Sequence, residues 1–569
     1  MNQARQNEWW RGAVIYQIYP RSFQDSNGDG IGDLPGITAR LDHVARLGAD
    51  GIWISPFFKS PMKDFGYDVS DYRDVDPIFG TLADFDALLR RAHQLGLKVM
   101  IDQVLSHTSD QHAWFVESRS SRDNPKADWY VWAEAKADGS PPNNWLSVFG
   151  GSAWQWDTRR CQYYLHSFLT TQPDLNFHHP DVQNAVLGEV RYWCDKGVDG
   201  FRFDACNHQV HDKLLRDNPA VDRTEKVSTV RADNPYAMQK HLYDKSRPEN
   251  LAFLERVRKL LDEFGAASIG EVGDEHSAPL MAQYTEAGKR LHMAYSFALL
   301  TADASARHIR SEIEKLEAEL AKTGGWGCWA LSNHDVPRVA SRWAPGGVPQ
   351  ADLSRTLLTL MLTLRGSVCL YQGEELGLPE AEVPFERLQD PYGLAFWPEF
   401  KGRDGCRTPL PWQAGAGQGG FSSAEPWLPV SAPQQAIAVD TQDGVAGSVL
   451  SLSQALLAWR RTLPVLVQGA IRFLDAPPQV LLFERTLAPM PSTWDAGDAA
   501  SGPARLLLAF NLSATPASLA LPDGWSGAAP LAGAPWQTGA VSAGQIELPA
   551  GGTLVLGADA VAVTVTAGA

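Results

Sequence analysis

Residues 197–205 read Gly-Val-Asp-Gly-Phe-Arg-Phe-Asp-Ala, and this stretch carries the pattern that decides the fold. Its first glycine is suited to ending a helix, because glycine adopts the left-handed backbone conformation at little cost. The apolar residues that follow predict a short buried strand. Alternate residues of a strand point to the same side, so Arg202 and Asp204 share one face. Taken alone, such a pair is more often a structural ion pair than a functional one.

Two more acidic residues lie where other strand-like runs end. Glu271 follows the run Ala-Ala-Ser-Ile-Gly, and Asp335 follows Trp-Ala-Leu-Ser-Asn-His. In a parallel barrel the carboxyl ends of all strands open onto one face, which is where active sites lie. The three acids, Asp204 included, therefore predict a shared mouth.

A rhythm of strand followed by helix recurs from residue 13 to about residue 376. Eight strand-like runs with intervening helical patterns favour a closed parallel barrel, so we predict an α/β protein built on a (β/α)8 TIM barrel. The runs are Ala13–Pro20, Ala49–Pro56, Lys98–Leu105, Val198–Ala205, Ala266–Val272, Leu291–Phe297, Gly327–His334 and Ser367–Gly373.

The helical segment after the second strand shows its own start and stop signals. Thr81 and Asp84 have the spacing of a capping box, and Gly96 provides a left-handed end. Phe85, Leu88, Leu89, Ala92 and Leu95 fall on one face at helical spacing. A similar pattern recurs before Gly265, which supports the alternating architecture.

Two regions depart from the barrel rhythm and predict further domains. Residues 106–179 follow the third strand without clean periodicity, and a loop of that length is usually functional or a small domain. We therefore predict an insertion domain over the barrel mouth at 106–179, with the catalytic barrel comprising 1–105 and 180–467. Short apolar runs separated by Pro, Gly and Asn predict a C-terminal antiparallel β domain at 468–569.

Bulk composition excludes several classes of protein. The 569 residues carry a net charge of −16, which argues against a general nucleic-acid binder. Six separated cysteines form no Cys-x-x-Cys motif, so neither a zinc site nor a redox pair is indicated. The longest apolar stretch, Leu357–Tyr371, is broken by Arg365 and Gly366, and no signal-peptide pattern opens the chain. We expect no membrane association and a cytoplasmic location.

Several ordered motifs together resemble glycoside hydrolase family 13, the α-amylase family, in its α-glucosidase and oligo-1,6-glucosidase branch. The resemblance covers almost the whole chain and implies the same barrel, insertion domain and C-terminal β domain. It is carried by residues 14–20 (Val-Ile-Tyr-Gln-Ile-Tyr-Pro), 64–68 (Asp-Phe-Gly-Tyr-Asp), 102–107, 200–204, 270–272 (Gly-Glu-Val), 333–335 (Asn-His-Asp) and 407–409 (Arg-Thr-Pro).

The resemblance implies a role for each of the three acids. Asp204 corresponds to the nucleophile, Glu271 to the general acid/base and Asp335 to the transition-state stabiliser. Retaining cleavage needs a nucleophile and an acid about 5–5.5 Å apart. We expect burial or neighbouring acids to raise the pKa of Glu271, and Arg202 to keep Asp204 ionised.

The resemblance also implies a glucose pocket around these acids. Asp64 with Arg403 is expected to hold the far hydroxyls, and Tyr67 to stack on the sugar ring. Arg407 lies close enough in sequence to Arg403 that the two are alternatives for this position. Phe149 and Phe168 are candidates for flanking the leaving group, with plain packing as the alternative. The implied substrate-binding residues are Asp64, Tyr67, His107, Arg202, His334 and Arg403.

The segment from Asp25 to Asp33 offers oxygen ligands at alternate positions, like the first half of an EF-hand loop, although the closing Glu is absent. A polar turn is the alternative. The resemblance implies a structural calcium or magnesium ion here, remote from the chemistry, and no organic cofactor. Ser106 departs from the family pattern, which argues against a second calcium site beside His107. The implied metal ligands are Asp25, Asn27, Asp29, Ile31 and Asp33.

The function that the resemblance implies is an exo-acting, retaining α-glucosidase that acts on small α-glucosides. In this branch an alanine after the nucleophile, here Ala205, accompanies α-1,4 preference, with maltose as an example. Transglucosylation to other alcohols or sugars is expected through the covalent intermediate. The alternatives are an α-1,6-preferring glucosidase, a trehalose- or isomaltulose-forming enzyme, and a non-catalytic transporter subunit of the same fold. We expect a monomer or homodimer.

Overall fold

The computed structural model describes residues 8–222, 230, 233–487 and 503–558. Eight parallel strands form the central sheet, so the predicted TIM barrel is confirmed. Each lies within its predicted run; the seventh is the shortest. The barrel strands are Val14–Ile18, Gly51–Ile54, Lys98–Val104, Gly200–Asp204, Ala267–Val272, Met293–Ser296, Cys328–Trp329 and Ser367–Tyr371.

Neighbouring strands pair in sequence order, and the sheet closes on itself. The first strand pairs with the eighth, with Val14 opposite Val368. A parallel bridge between Ala294 and Gly327 joins the sixth strand to the beginning of the seventh. Closure removes exposed sheet edges and brings the carboxyl ends of distant strands to one rim.

Helices alternate with the barrel strands, and their ends follow the sequence signals. Thr81 and Asp84 form the predicted capping box, and Gly96 has a φ of 77°. The helix Val449–Thr462 begins where the Ser448 side chain accepts a hydrogen bond from Ser451 N. The α-helices are Leu34–Leu47, Leu82–Gln94, Ala113–Ser118, Pro180–Asp195, Asn250–Phe264, Ser277–Tyr284, Ala306–Thr323, Val339–Arg342, Gln350–Thr363, Pro391–Phe396, Ala432–Gln435, Val439–Gln442, Val449–Thr462 and Pro464–Val467.

Three segments between barrel elements build the upper rim. A three-stranded antiparallel sheet of Trp132–Ala133, Trp154–Asp157 and Gln162–Leu165 follows the third barrel strand. A small hairpin, Phe58–Lys59 with Asp71–Val75, lies after the second. A second long connection follows the fourth barrel strand; its described residues, 205–222, 230 and 233–249, belong to the rim, which sequence analysis did not identify.

The C-terminal region is antiparallel, as predicted. It contains a five-stranded and a three-stranded sheet with their own apolar core. Buried Arg485 joins this region to the barrel, donating to the carbonyl oxygens of Thr363 and Gly469. The described C-terminal strands are Ala470–Phe473, Val480–Thr486, Arg505–Asn511, Ala517–Ala520, Ala529–Pro530, Ala540–Ser542, Gln545–Leu548 and Thr553–Ala558. The predicted barrel domain begins at residue 1 and the predicted C-terminal domain ends at residue 569, but residues 1–7 and 559–569 lie outside the described residues.

Among the helices of the described residues, none combines the length and the apolar character needed to cross a membrane.

Candidate active site

A cavity of about 420 Å³ opens at the carboxyl ends of the barrel strands. Asp204, Glu271 and Asp335 all line it, so the three acids that sequence analysis singled out share one cavity. The other predicted residues that line it are Asp64, Tyr67, His107, Arg403, Phe149 and Phe168, while Arg202 and His334 lie buried just behind its wall.

Arg202 organises the floor of this cavity. Its Nη1 lies 2.5 Å from Asp204 Oδ1 and 2.9 Å from Asp102 Oδ1, and its Nη2 lies 2.8 Å from Glu271 Oε1. The guanidinium is fully buried and offers several donors in a fixed plane. One cation therefore holds three carboxylates that come from three different barrel strands.

These buried acids have raised pKa values. Burial is the largest cause for each, and it raises the pKa of Glu271 to about 7 and that of Asp204 to about 7. It also raises the pKa of Asp102 to about 6. Arg202 favours the charged form of Asp204, as expected, but burial outweighs it. Because three acids share one guanidinium, the cluster retains a proton near neutral pH.

Asp335 lies in a different electrostatic environment. Arg407 Nη2 lies 2.9 Å from its Oδ1, and Arg403 Nη1 lies 3.2 Å from the same oxygen. Burial raises the pKa of Asp335, but His334 in its protonated form and the neighbouring arginines outweigh it, so the pKa lies well below its usual range. Burial also lowers the pKa of His334, to about 3, which leaves the arginines as the charges present at neutral pH.

The far end of the cavity is closed by an ion-pair network. Arg403 Nη2 contacts Asp64 Oδ1 at 3.0 Å and Asp390 Oδ1 at 2.7 Å. Gln172 Nε2 donates to the other oxygen of Asp64 at 3.2 Å. The structure thus brings Arg403 and Asp64 together as predicted, with Arg407 directed at Asp335. Sequence analysis missed Asp390, because no motif marks it and only the fold brings it beside Arg403.

Two histidines and one tyrosine line or support the same end. The Tyr67 hydroxyl bonds His334 Nε2, and their rings lie parallel at 5.4 Å. Gln17 Nε2 lies 2.7 Å from His334 Nδ1. His107 Nε2 lies 3.0 Å from the Tyr67 carbonyl oxygen, and burial lowers the pKa of His107 to about 4. Both histidines are therefore neutral near pH 7 and serve as hydrogen-bonding groups.

The outer part of the cavity is more apolar and comes from the rim segments. Phe149 and Phe168 belong to the insertion, with ring centroids 6.4 Å apart. Sequence analysis missed the contributions of residues 205–249, which bring Tyr236 and Lys245 to the wall. The length of this connection was the signal that could have indicated them. The outer wall further includes Val148, Asn207, His208, Val230, Phe297, Leu300, Tyr392 and Phe400.

The predicted metal loop contains oxygen atoms that could bind an ion, but several of them already accept hydrogen bonds from nearby backbone N–H groups. Asp25 Oδ1 accepts from the backbone N–H groups of Asn27 and Gly28. Asp33 caps a helix by accepting from Gly36 N at 2.6 Å. Among the described residues no group of three or more acidic, His or Cys side chains is arranged to hold an ion. The structural calcium or magnesium ion therefore stays a prediction.

Fold and site together define a glycoside hydrolase: a TIM barrel with three carboxylates and their arginine partners at the carboxyl ends of its strands. Residues 17–469 match the family model described as "Alpha amylase, catalytic domain". The chain therefore belongs to the α-amylase family, glycoside hydrolase family 13, as the resemblance implied.

Relatives and solved structures agree with this assignment. A probable alpha-glucosidase of Rhizobium meliloti (strain 1021) is 59% identical over 84% of this chain and 87% of its own length. An oligo-1,6-glucosidase of Parageobacillus thermoglucosidasius is 36% identical over 84% of this chain and 88% of its own. The crystal structure of the alpha-glucosyl transfer enzyme XgtA matches with a TM-score of 0.91 and 57% identity, covering 97% of this chain and 99% of that chain. The trehalulose synthase MutB from Pseudomonas mesoacidophila MX-45 matches with a TM-score of 0.83 and 32% identity, covering 96% and 99%.

Proposed function

We propose that this protein is an exo-acting, retaining α-glucosidase that removes terminal non-reducing glucose from small α-glucosides and also transfers it to acceptors. One observation carries the proposal. Asp204 and Glu271 hydrogen-bond to the two terminal nitrogens of the same guanidinium, in a cavity whose far end is closed by Asp64 and Arg403. The two carboxylates therefore reach a common space the size of a sugar.

The reaction follows from this geometry in two displacements. Asp204 attacks the anomeric carbon while Glu271 gives its proton to the glycosidic oxygen, so the C–O bond to the leaving group breaks and an ester to Asp204 forms. Glu271 then takes a proton from water or another alcohol, whose oxygen displaces Asp204. Two inversions retain the α configuration.

The proton that the acid cluster shares suits these two reaction steps. Positive charge that develops at the anomeric carbon favours ionised Asp204, and the glycosidic oxygen accepts a hydrogen bond from protonated Glu271. Substrate thus draws the proton onto Glu271. Asp335 remains ionised between Arg403 and Arg407, where its contacts can strengthen as the ring flattens in the transition state.

The closed end supports exo action, because a chain cannot pass through a cavity blocked by the Arg403 network. The linkage preference rests on Ala205, which lines the cavity with a φ of 39°. A β-branched residue there would be strained in the left-handed region and would crowd the leaving group. We therefore favour α-1,4 glucosides such as maltose over α-1,6 glucosides.

A second candidate is an enzyme dedicated to glucosyl transfer. One solved structure with a TM-score of 0.91 is named as an alpha-glucosyl transfer enzyme, and another is named as a trehalulose synthase. The apolar outer wall would favour an organic acceptor over water, which is consistent with this alternative.

One experiment separates these possibilities. Maltose, isomaltose, trehalose and sucrose are incubated separately with the enzyme, and proton NMR follows the anomer released and every new linkage. The proposal predicts α-glucose as the first product, maltose as the preferred substrate, and transfer products at high sugar concentration. First release of β-glucose would refute retention. Transfer products without free glucose would favour the dedicated transferase, and faster cleavage of isomaltose would overturn the linkage preference.

A further inference from the structure

Tyr295 is a buried tyrosine directly beside Glu271 that no assigned role explains. It lies on the sixth barrel strand, and the sheet register places it opposite Glu271 on the fifth. Its side chain is 1% exposed. The hydroxyl lies 2.9 Å from Arg202 Nη2 and 3.1 Å from Glu271 Oε1. Tyr295 thus connects the arginine of the acid cluster to the proposed general acid.

The direction of these hydrogen bonds follows from the chemistry of the donors. A guanidinium can only donate, so the Tyr295 oxygen accepts from Arg202. Its own hydrogen is then available for Glu271 Oε1, which also accepts from Arg202 Nη2. The other carboxyl oxygen, Oε2, accepts from the backbone N–H of Ala205 at 3.0 Å. Among the described residues, Oε1 therefore receives two side-chain donors and Oε2 one backbone donor.

We infer that Tyr295 is a positioning residue that fixes the orientation of Glu271 and directs its proton to Oε2. Because Oε1 is occupied by two donors, a proton on that oxygen would face both of them. Oε2 can carry a proton and still accept from Ala205. The inference rests on the proposed acid/base role of Glu271 and adds the group that decides which of its oxygens serves as the acid.

The sign of the expected pH effect follows from what the hydrogen bond favours. A donor to a carboxylate stabilises the charged form and lowers the pKa, so removing the Tyr295 hydroxyl should raise the pKa of Glu271. The other groups that bear on Glu271 stay in place in a Tyr295→Phe variant. They are Arg202, Asp204, Asp102, Asp335 and the Cys206 thiol.

The experiment compares Tyr295→Phe with Tyr284→Phe as a matched control. Tyr284 is also fully buried, but its hydroxyl bonds Asn250 and not the acid cluster. The alkaline limb of kcat/KM against pH reports deprotonation of the acid. For Tyr295→Phe we expect that limb to move up by about half to one pH unit, the effect of one hydrogen bond. We also expect a larger loss on maltose than on an activated aryl glucoside, because a misplaced acid matters more for a poor leaving group.

A double-mutant cycle keeps the test decisive. If Tyr295 acts through Glu271, then Tyr295→Phe should cause no further loss in a Glu271→Gln background. An unshifted alkaline limb, or additive losses in the cycle, would overturn the inference. These outcomes differ from failure of the proposed function, in which Glu271→Gln alone would slow maltose and the activated aryl glucoside equally.

Discussion

The two ends of the cavity are built on different principles. The inner end consists of charged side chains: Arg202 holds carboxylates on the barrel strands, and Arg403, on the connection after the eighth strand, holds Asp64 and Asp390. The outer wall is mostly aromatic and aliphatic, and its described side chains come from the connections after the third, fourth, sixth and eighth barrel strands. We propose from this contrast that the inner end provides the chemistry, while the connections of the outer wall select the leaving group and the acceptor.

Rigidity differs between the two ends in a way that the contacts explain. Arg202, Asp204 and Glu271 lie within hydrogen-bonded barrel strands, so the sheet fixes their backbone. The outer wall depends on contacts between connections. Buried Asn234 donates to the Val148 carbonyl at 2.8 Å and to the Tyr392 hydroxyl at 3.0 Å. Its own oxygen accepts from Tyr236 N, so one side chain joins three segments of the wall.

The strongest test of the inner end is removal of the nucleophile. Asp204→Ala should lower kcat on the order of 10⁴-fold or more, because no covalent intermediate can form. Circular dichroism should remain unchanged, and Asp195→Ala, a change on the exposed face of a helix, should retain activity. Normal turnover by Asp204→Ala would mean that the inner end does not contain the nucleophile.

Arg403→Lys tests the closed end. Lysine keeps the charge but loses the planar fork that contacts Asp64, Asp335 and Asp390. We expect kcat/KM for maltose to fall by an amount equivalent to about 2–5 kcal/mol, the usual cost of disturbing a buried charge pair. Arg387→Lys, a change at a half-buried position on the same segment, serves as the control. Equal kinetics for the two variants would show that Arg403 does not shape the glucose site.

Asn234→Ala tests the outer wall by itself. Loss of its contacts should loosen the positions of Phe149, Tyr236 and Tyr392, and the hydrogen bonds at stake are worth about 1–3 kcal/mol. Aglycone release from an activated aryl glucoside should change little, whereas the ratio of transfer to hydrolysis should shift severalfold. Asn124→Ala is the control, because the hydrogen bonds of the Asn124 side chain stay within the insertion. If Asn234→Ala lowered aglycone release as much as transfer, the division between chemistry and acceptor selection would be wrong.

The smallest effect is expected from the loop that begins at Asp25, which lies away from the cavity. If this loop binds calcium or magnesium, a chelator should lower the melting temperature by a few degrees while kcat at lower temperature stays constant. Elemental analysis of the purified protein provides the complementary measurement. A melting temperature unaffected by chelator and by added calcium would favour the simple polar turn.

Much of the inner end could be predicted because its signals are local. The alternation that puts Arg202 and Asp204 on one face needs only two residues of strand, and the acids that end separate runs need only the rule that parallel strands open at one face. The resemblance then assigned roles to positions already noticed. Phe149 and Phe168 of the outer wall were candidates, but the contribution of residues 205–249 escaped prediction because this stretch shows no periodicity in the sequence.

The sequence by itself determined where the barrel strands lie, because apolar runs, helix caps and glycine stops act over a few residues. The tertiary structure alone decided which groups meet. Arg202 and Tyr295 are 93 residues apart in the chain yet share a hydrogen bond, and Arg403 finds Asp64 from 339 residues away. Closure of the barrel brings such distant residues into contact. The pKa values of the acids depend on these contacts, since charge and burial act through space and not along the chain.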